Sequence, residues 1–312
     1  MASRIDNRQM KKKRRWPYWV GGILLAIILS VVGYGLYIFN QLDNAVETMH
    51  QPLERDTERE KEMEGIFTNK EAFNVLLLGV DERTNDAGRS DTMVFLSLNP
   101  NTDSMLMMSI PRDTYTNIPG RGDDKINHAY AFGGADLALT TVEEMLDVPI
   151  HYYSKVNMEG FVQGVNAIGG VTVNNSLAFT EGGTNFPEGE IHLTGEEALS
   201  FTRMRKQDPR GDFGRNDRQR QVIQAAISEA ASFSSFTKVG DIFDILGENV
   251  RTNLDMNDMQ TVFSNYRSTR NNVKNIQVNG NGSTMGGVWY YVVPDEEMSR
   301  IKTEIKDHME AT

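Results

Sequence analysis

The spacing of apolar and polar positions changes character three times along the chain. Residues 16–39 read WPYWVGGILLAIILSVVGYGLYIF, and no charge occurs from Trp16 to Leu42. About 20 apolar residues suffice to cross a bilayer as a helix, so the pattern predicts one transmembrane helix over 16–40. Trp16, Tyr18 and Trp19 at one end and Tyr34, Tyr37 and Phe39 towards the other suit the two interfaces. The apolar run is too long for a cleavable signal peptide, and no A-x-A site follows it. Residues 41–70 are polar, with Leu42, Val46, Met49 and Leu53 at roughly helical spacing. This segment reads as a helical stalk or as a linker.

From residue 71 to 312 the pattern is that of a folded domain. Continuous apolar runs at Phe73–Val80, 92–98 and 105–110 predict three buried strands, the second and third joined by an Asn-Pro-Asn-Thr-Asp turn. Helical spacing follows over 135–146, then a strand at Tyr152–Asn157 and a helix at 158–168 closed by Gly169 and Gly170. A strand at 171–174 precedes helices at 196–203, 216–231, 239–249 and 256–268. Strands at 275–278 and 288–293 and a helix at 294–308 complete the chain. Such alternation predicts an α/β domain, a mixed central sheet covered by helices.

Charge refines the picture. The chain of 312 residues carries a net −11, but residues 1–15 hold +6 and the remaining 297 hold −17. A basic cluster just before an apolar span places the N-terminus in the cytoplasm and the acidic domain outside the cell membrane, as in a single-pass type II signal-anchor protein. An acidic domain also argues against nucleic-acid partners. Cysteine is absent, which removes disulfides, thiol nucleophiles and cysteine-ligated metals. No P-loop, H-E-x-x-H or G-x-S-x-G occurs, and Arg121-Gly122-Asp123 reads as a coincidence in a Gly-rich loop.

What remains is a constellation of carboxylates and arginines. If the first three strands form an antiparallel meander, Asp81, Arg83, Arg89, Asp91, Arg112 and Asp113 gather at one end of the sheet. Hard carboxylate oxygens beside guanidinium forks are what a Mg²⁺–diphosphate site requires. A second cluster, Arg203, Arg205, Lys206, Arg210, Arg215, Arg218 and Arg220, is locally +4. Arg215, Arg218 and Gln219 are spaced i, i+3, i+4, which predicts one shared helix face. A solvated, salt-bridged helix surface is the alternative for this cluster, and ordinary turn residues for Asp81 and Asp91.

These residues fall in motifs that resemble the LytR-CpsA-Psr family. They are Leu78-Gly79-Val80-Asp81-x-Arg83, Arg89-Ser90-Asp91-Thr92-Met93, Ser109-Ile110-Pro111-Arg112-Asp113, Arg203-Met204-Arg205-Lys206 and Gly211-Asp212-Phe213-Gly214-Arg215-x-x-Arg218-Gln219. Lys125-Ile126-Asn127-His128-Ala129 and Ile168-Gly169-Gly170-Val171 are similar too. The family's members transfer polymers, wall teichoic acid in Bacillus-like cells and capsule in others, from an undecaprenyl-diphosphate carrier to peptidoglycan. The resemblance therefore implies an α-β-α core with an apolar lipid pocket and a Mg²⁺ (or Mn²⁺) site at Asp81 and Asp91. It implies diphosphate binding by Arg89, Arg112, Arg203, Arg205 and Arg215 with Gln219 in support, and by Arg83 and Arg218 as additions. The acceptor would be the C6 hydroxyl of N-acetylmuramic acid, and undecaprenyl phosphate would leave. Arg112, Asp91 and Asp113 are the catalytic candidates, either carboxylate being a candidate base. A polyprenyl-diphosphate phosphatase and a non-catalytic, polyprenyl-phosphate-binding regulator are the competing readings.

Overall fold

The computed structural model describes residues 43–53, 56–81, 88–232 and 249–312, together with Tyr37, Asn40 and Gly247. The tail 1–15, nearly all of the span 16–40, Arg83 and most of the helix expected over 239–249 lie outside these residues. No described helix is long and apolar enough to cross a membrane.

The three apolar runs form the expected meander. Strand β1 (Phe73–Val80) pairs antiparallel with β2 (Ser90–Asn99), and β2 with β3 (Ser104–Ser109). Strand β6 (Tyr152–Asn157) adds parallel to β1, β11 (Val250–Thr252) antiparallel to β6, and β12 (Val273–Ile276) parallel to β3. The result is a mixed six-stranded sheet in the order β11-β6-β1-β2-β3-β12.

Both faces of this sheet are covered, which explains why its strands read as continuous rather than alternating apolar runs. On one face, Leu76, Leu78, Phe95, Leu106 and Met108 pack against Leu139 and Val142 of helix α3 (His128–Leu146) and against Ile301 and Ile305 of the C-terminal helix Asp295–Glu310. On the other, Phe73, Val75, Leu96 and Met107 meet Met63 and Ile66 of the helix Asp56–Asn69, with Tyr266 stacked edge-on against Phe73 at 4.8 Å. The segment 41–70 is thus helical over 43–49 and Asp56–Asn69, and both helices bury apolar residues against the domain, Val46 and Met49 beside Val250.

Helix α3 starts earlier than its periodicity suggests, because two helical pieces join across Gly133 and Gly134. Gly134 takes φ 63°, a conformation that costs a glycine little. A third cluster lies beside the sheet. It joins helices α4 (Met158–Ala167), α5 (Gly195–Arg203) and α6 (Asp212–Ser232) to the ribbon of β7 (Val171–Asn175) and β10 (Gly189–Leu193), around Phe179, Phe186 and Phe201.

Candidate functional site

Three helices and the sheet enclose a cavity of about 350 Å³. Its interior is apolar: Leu77 from β1, Val156 from β6, Met158 and Phe161 from α4, Leu199 from α5 and Ile223 from α6. Its mouth carries Asp81, Asp91, Arg112, Arg203, Arg215 and Gln219. A chamber with a water-avoiding body and a charged rim suits an amphiphile with an anionic head.

Local chain geometry sets each of these groups. Leu77 and Gly79 of β1 and Asp81, the residue after it, fall at two-residue steps and line the cavity, with Leu78 beside them. Gly79 pairs with Thr92, whereas Val80 pairs with Ser90, so Asp91 is the extra residue of a β-bulge. Bulges re-aim side chains, and here the bulged carboxylate faces the cavity. A Cβ on Gly79 would come within 3.0 Å of the Thr92 Cβ, so the glycine lets the two strands close at the rim. On α6, Arg215, Gln219 and Ile223 follow at four-residue steps, making one stripe that descends from the charged rim to the apolar body. Gln219 donates to the Thr92 hydroxyl at 3.0 Å and ties this stripe to β2.

The rim is a chain of ion pairs. Arg112 donates to Asp91 at 2.9 Å and lies 3.6 Å from Asp113, which accepts from Lys125 at 2.7 Å. Arg215 donates to Asp212 at 3.0 Å. Burial disfavours the charge of Arg112, but Asp91 and Asp113 outweigh it and hold its pKa above the ordinary value. Arg215 goes the other way: burial lowers its pKa, Asp212 opposes, and nearby Arg112 and Arg205 lower it further. Its Nε is buried with no hydrogen-bond partner. A crowded guanidinium with an orphaned N–H, on the wall of a cavity, gains from an incoming anion.

The structure separates the sequence candidates. Asp81, Asp91, Arg112, Arg203, Arg215 and Gln219 share the cavity. Asp113 and Arg205 line an adjoining cavity instead. Arg89 is exposed just before β2 and does not line the first cavity, and Arg83 lies outside the described residues.

Arg218 is a correction. It does not share the face of Arg215 and Gln219 but turns into the protein. There it donates to Asp208 at 2.7 Å and to the carbonyls of Phe201 and Met204 at 3.2 and 2.5 Å. It is occupied in holding α6 to the end of α5. The i, i+3, i+4 spacing spreads over more of the helix circumference than the cavity sees.

The apolar wall residues Val156, Met158, Phe161, Leu199 and Ile223 were not singled out from the sequence. The four-residue step from Arg215 through Gln219 to Ile223 is the signal that points to the last of them.

Whether a metal suits the rim can be judged from its donors. Among the described residues no three His, Asp or Glu side chains cluster as a self-sufficient cation site. Asp81 and Asp91 supply two carboxylates on one cavity wall. Mg²⁺ is commonly held by one or two carboxylates plus substrate phosphates and water, so this donor set fits a metal that binds together with a diphosphate.

Comparisons with known proteins agree with this architecture. A model of the LytR_cpsA_psr family matches residues 36–307. The chain is 58% identical over 318 aligned positions, covering 99% of each chain, to a polyisoprenyl-teichoic acid–peptidoglycan teichoic acid transferase TagU of Oceanobacillus iheyensis. It is 48% identical to the protein of that name from Halalkalibacterium halodurans, over 93% of this chain and 97% of the other. Among solved structures, the crystal structure of B. subtilis TagU superposes with a TM-score of 0.66 at 46% identity, covering 78% of this chain and 98% of that one. A structure of TagT bound to LI-WTA superposes with a TM-score of 0.66 at 34% identity, over 77% and 92% of the two chains. With the family pattern and such relatives spanning nearly its whole length, the chain belongs to the LytR_cpsA_psr family.

Proposed function

We propose that this protein transfers an anionic cell-wall glycopolymer, wall teichoic acid, from an undecaprenyl-diphosphate carrier to peptidoglycan. The observation that carries the reading is the single cavity that is apolar within and edged by Arg112, Arg203 and Arg215 beside two carboxylates. The names borne by its relatives, polyisoprenyl-teichoic acid–peptidoglycan teichoic acid transferases, point to the same chemistry.

The polyprenyl chain next to the phosphates occupies the apolar body, between Leu77 and Ile223. Arg112, Arg203 and Arg215 bind the diphosphate oxygens, with the free Nε–H of Arg215 donating to one of them. The oxygen of the acceptor hydroxyl, C6 of N-acetylmuramic acid, forms a bond to the phosphorus that bears the glycopolymer. The bond from that phosphorus to the bridging oxygen breaks, and the bridging oxygen departs with undecaprenyl phosphate. Arg112 neutralises the charge that builds on the transferred group, where fixed guanidinium groups are most effective. Asp113, on the far side of Arg112, takes the hydroxyl proton. Held by Asp81 and Asp91, Mg²⁺, or Mn²⁺ in its place, would withdraw charge from the phosphate oxygens. The span over 16–40 anchors the domain outside the membrane, where a lipid-linked donor resides and tethering raises its effective concentration.

The test uses the full-length chain in detergent with a lipid-diphosphate glycopolymer, a glycan acceptor and Mg²⁺. Transfer releases polyprenyl phosphate and leaves polymer covalently attached to glycan. Release of free polymer would indicate a phosphatase, and lipid binding without turnover a regulator.

A further inference from the structure

A second cavity, of about 280 Å³, opens on the other side of the Arg112–Asp113 step. We propose that it is the binding site of the acceptor glycan, with Trp289 as its stacking platform. The inference rests on the transferase reading for the word acceptor, while Trp289 and the groups around it line the second cavity alone.

The two cavities share a wall. Arg112 lines the first, while its neighbours Pro111 and Asp113 line the second. Asp212 lines the second and pairs both with Arg215 of the first cavity, at 3.0 Å, and with Arg205 of the second, at 3.4 Å. A ligand in the second cavity therefore meets the anion-binding rim from the side away from the apolar body. That direction is the one transfer requires. Attacking and leaving oxygens lie roughly in line across the transferred phosphorus. With the leaving polyprenyl phosphate held towards the apolar body, the nucleophile arrives from the opposite side.

The lining has the chemistry of a sugar site rather than of a lipid site. Trp289 keeps 46% of its surface exposed on the ribbon of β13 (Asn281–Met285) and β14 (Val288–Val292). Its indole lies over Gly282, where an added Cβ would come within 2.8 Å of Nε1. An aromatic face suits the apolar face of a pyranose. Around it stand two carboxylates, Asp113 and Asp212, and two guanidinium groups, Arg205 and Arg210. These offer acceptors to hydroxyls and donors to carbonyl and carboxylate oxygens such as those of N-acetyl and lactyl groups. Asp212 Oδ1 is buried and meets only the Arg205 Nε at 3.4 Å, too long for a good hydrogen bond, which leaves it as an acceptor for a sugar hydroxyl.

The platform is also held in place. The Tyr291 N–H donates to the Asp113 carbonyl at 2.8 Å, and the Tyr291 hydroxyl to the Val278 carbonyl at 3.1 Å. Tyr290 meets Tyr115 edge-on at 5.1 Å, and Lys125, the partner of Asp113, lies 5.8 Å from the Tyr290 ring. The ribbon bearing Trp289 is thereby fixed to the turn bearing Arg112.

The chain's three tryptophans are Trp16, Trp19 and Trp289, which gives a direct test. In the full-length chain with Trp16→Phe and Trp19→Phe, Trp289 is the sole indole. Titration with an oligosaccharide of alternating N-acetylglucosamine and N-acetylmuramic acid should shift its emission to the blue and saturate. Trp289→Ala should weaken glycan binding, read by calorimetry, by about tenfold, with affinity for a lipid-diphosphate donor unchanged. Gly282→Ala keeps every functional group but displaces the indole, and should weaken glycan binding in the same direction. Emission that stays flat while glycan binds, or wild-type glycan affinity in Trp289→Ala, overturns the proposal. Loss of donor affinity in Trp289→Ala also overturns it, by assigning the cavity to the donor's own sugars. Binding is read without turnover, so a chain that binds glycan through Trp289 yet transfers nothing would defeat the transferase reading and leave the glycan site standing.

Discussion

Arg218 Nη1 donates to Asp208 Oδ2 at 2.7 Å, and the two side chains keep only 5% and 1% of their surface exposed. Burial disfavours the Asp208 carboxylate, but Arg218 and Arg210 outweigh it and hold its pKa below the ordinary value. Removing one partner of such a pair leaves the other charged and buried, at a cost of about 3–5 kcal/mol. Arg218→Ala should therefore lower the melting temperature on the order of 10 °C, measured by calorimetry. Below its transition it should still bind a lipid-diphosphate donor, since Arg218 does not line the cavity. Gly214→Ala should destabilise through the same pair, because its Cβ would collide with Asp208 Oδ2.

Arg112 and Arg215 are expected to behave in the opposite manner. Loss of Arg215 should leave stability nearly unchanged or raised, since it relieves repulsion with Arg112 and Arg205, whereas loss of Arg112 should lower it slightly, since Asp91 and Asp113 favour that charge. Each substitution by alanine should lower kcat/KM for the donor by about 10²–10³, the scale of removing one preorganised donor to a developing charge. Arg112→Lys should recover little, because a single ammonium cannot span Asp91 and a phosphate as a guanidinium fork does.

Metal dependence gives a third prediction. Chelation by EDTA should abolish transfer, and Mg²⁺ or Mn²⁺ should restore it. Asp81→Asn and Asp91→Asn should each raise the Mg²⁺ concentration for half-maximal turnover by about tenfold or more, the loss that even a ligand's outer partner brings. Equal metal response in wild type and both variants would remove these residues from the metal site.

Acid stability should respond to Glu297. Its carboxylate accepts from Arg300 at 2.7 Å and from the Asn279 N–H at 2.9 Å, and these contacts push its pKa down to about 2. An unfolded glutamate titrates near 4.3, so between these values the unfolded chain binds the extra proton. The stabilisation is present above about pH 4.3 and fades as pH falls towards 2. Glu297→Gln should flatten that part of the stability curve in denaturant titrations and leave the neutral end lower.

The central meander was legible because strands buried on both faces are written as unbroken apolar runs, as in Phe73–Val80. The charged end of the sheet followed from its connectivity. The hairpin of Tyr115–Ile118 with Gly122–Lys125 was not legible, since its residues carry neither an apolar run nor alternation, and Arg121-Gly122-Asp123 sits at its turn. Strand β12 begins two residues earlier than its pattern indicates, an edge strand whose Val273 and Ile276 alone meet the core. The fate of Arg218 was hidden as well. Spacing alone fixes which residues neighbour one another on α6, while the direction of each face depends on Asp208 and α5. Packing of 43–49 and Asp56–Asn69 onto the domain rests on Val46, Met49, Met63 and Ile66; the spacing of Val46 and Met49 suggests a helix in sequence but does not name its partner.

The bulge at Asp91 has an evolutionary consequence. Because Gly79 pairs with Thr92 and Val80 with Ser90, the ladder runs on past Asp91 without counting it. Its side chain can be exchanged in any descendant without disturbing the order of residues on either face of β2. Deleting the position would act alike: Ser90 would adjoin Thr92 directly and still face Val80, so the ladder would close without the carboxylate. A lineage can thus lose the chemistry of this site by point substitution and keep an intact scaffold. The family's fold is in that sense free to outlive its reaction.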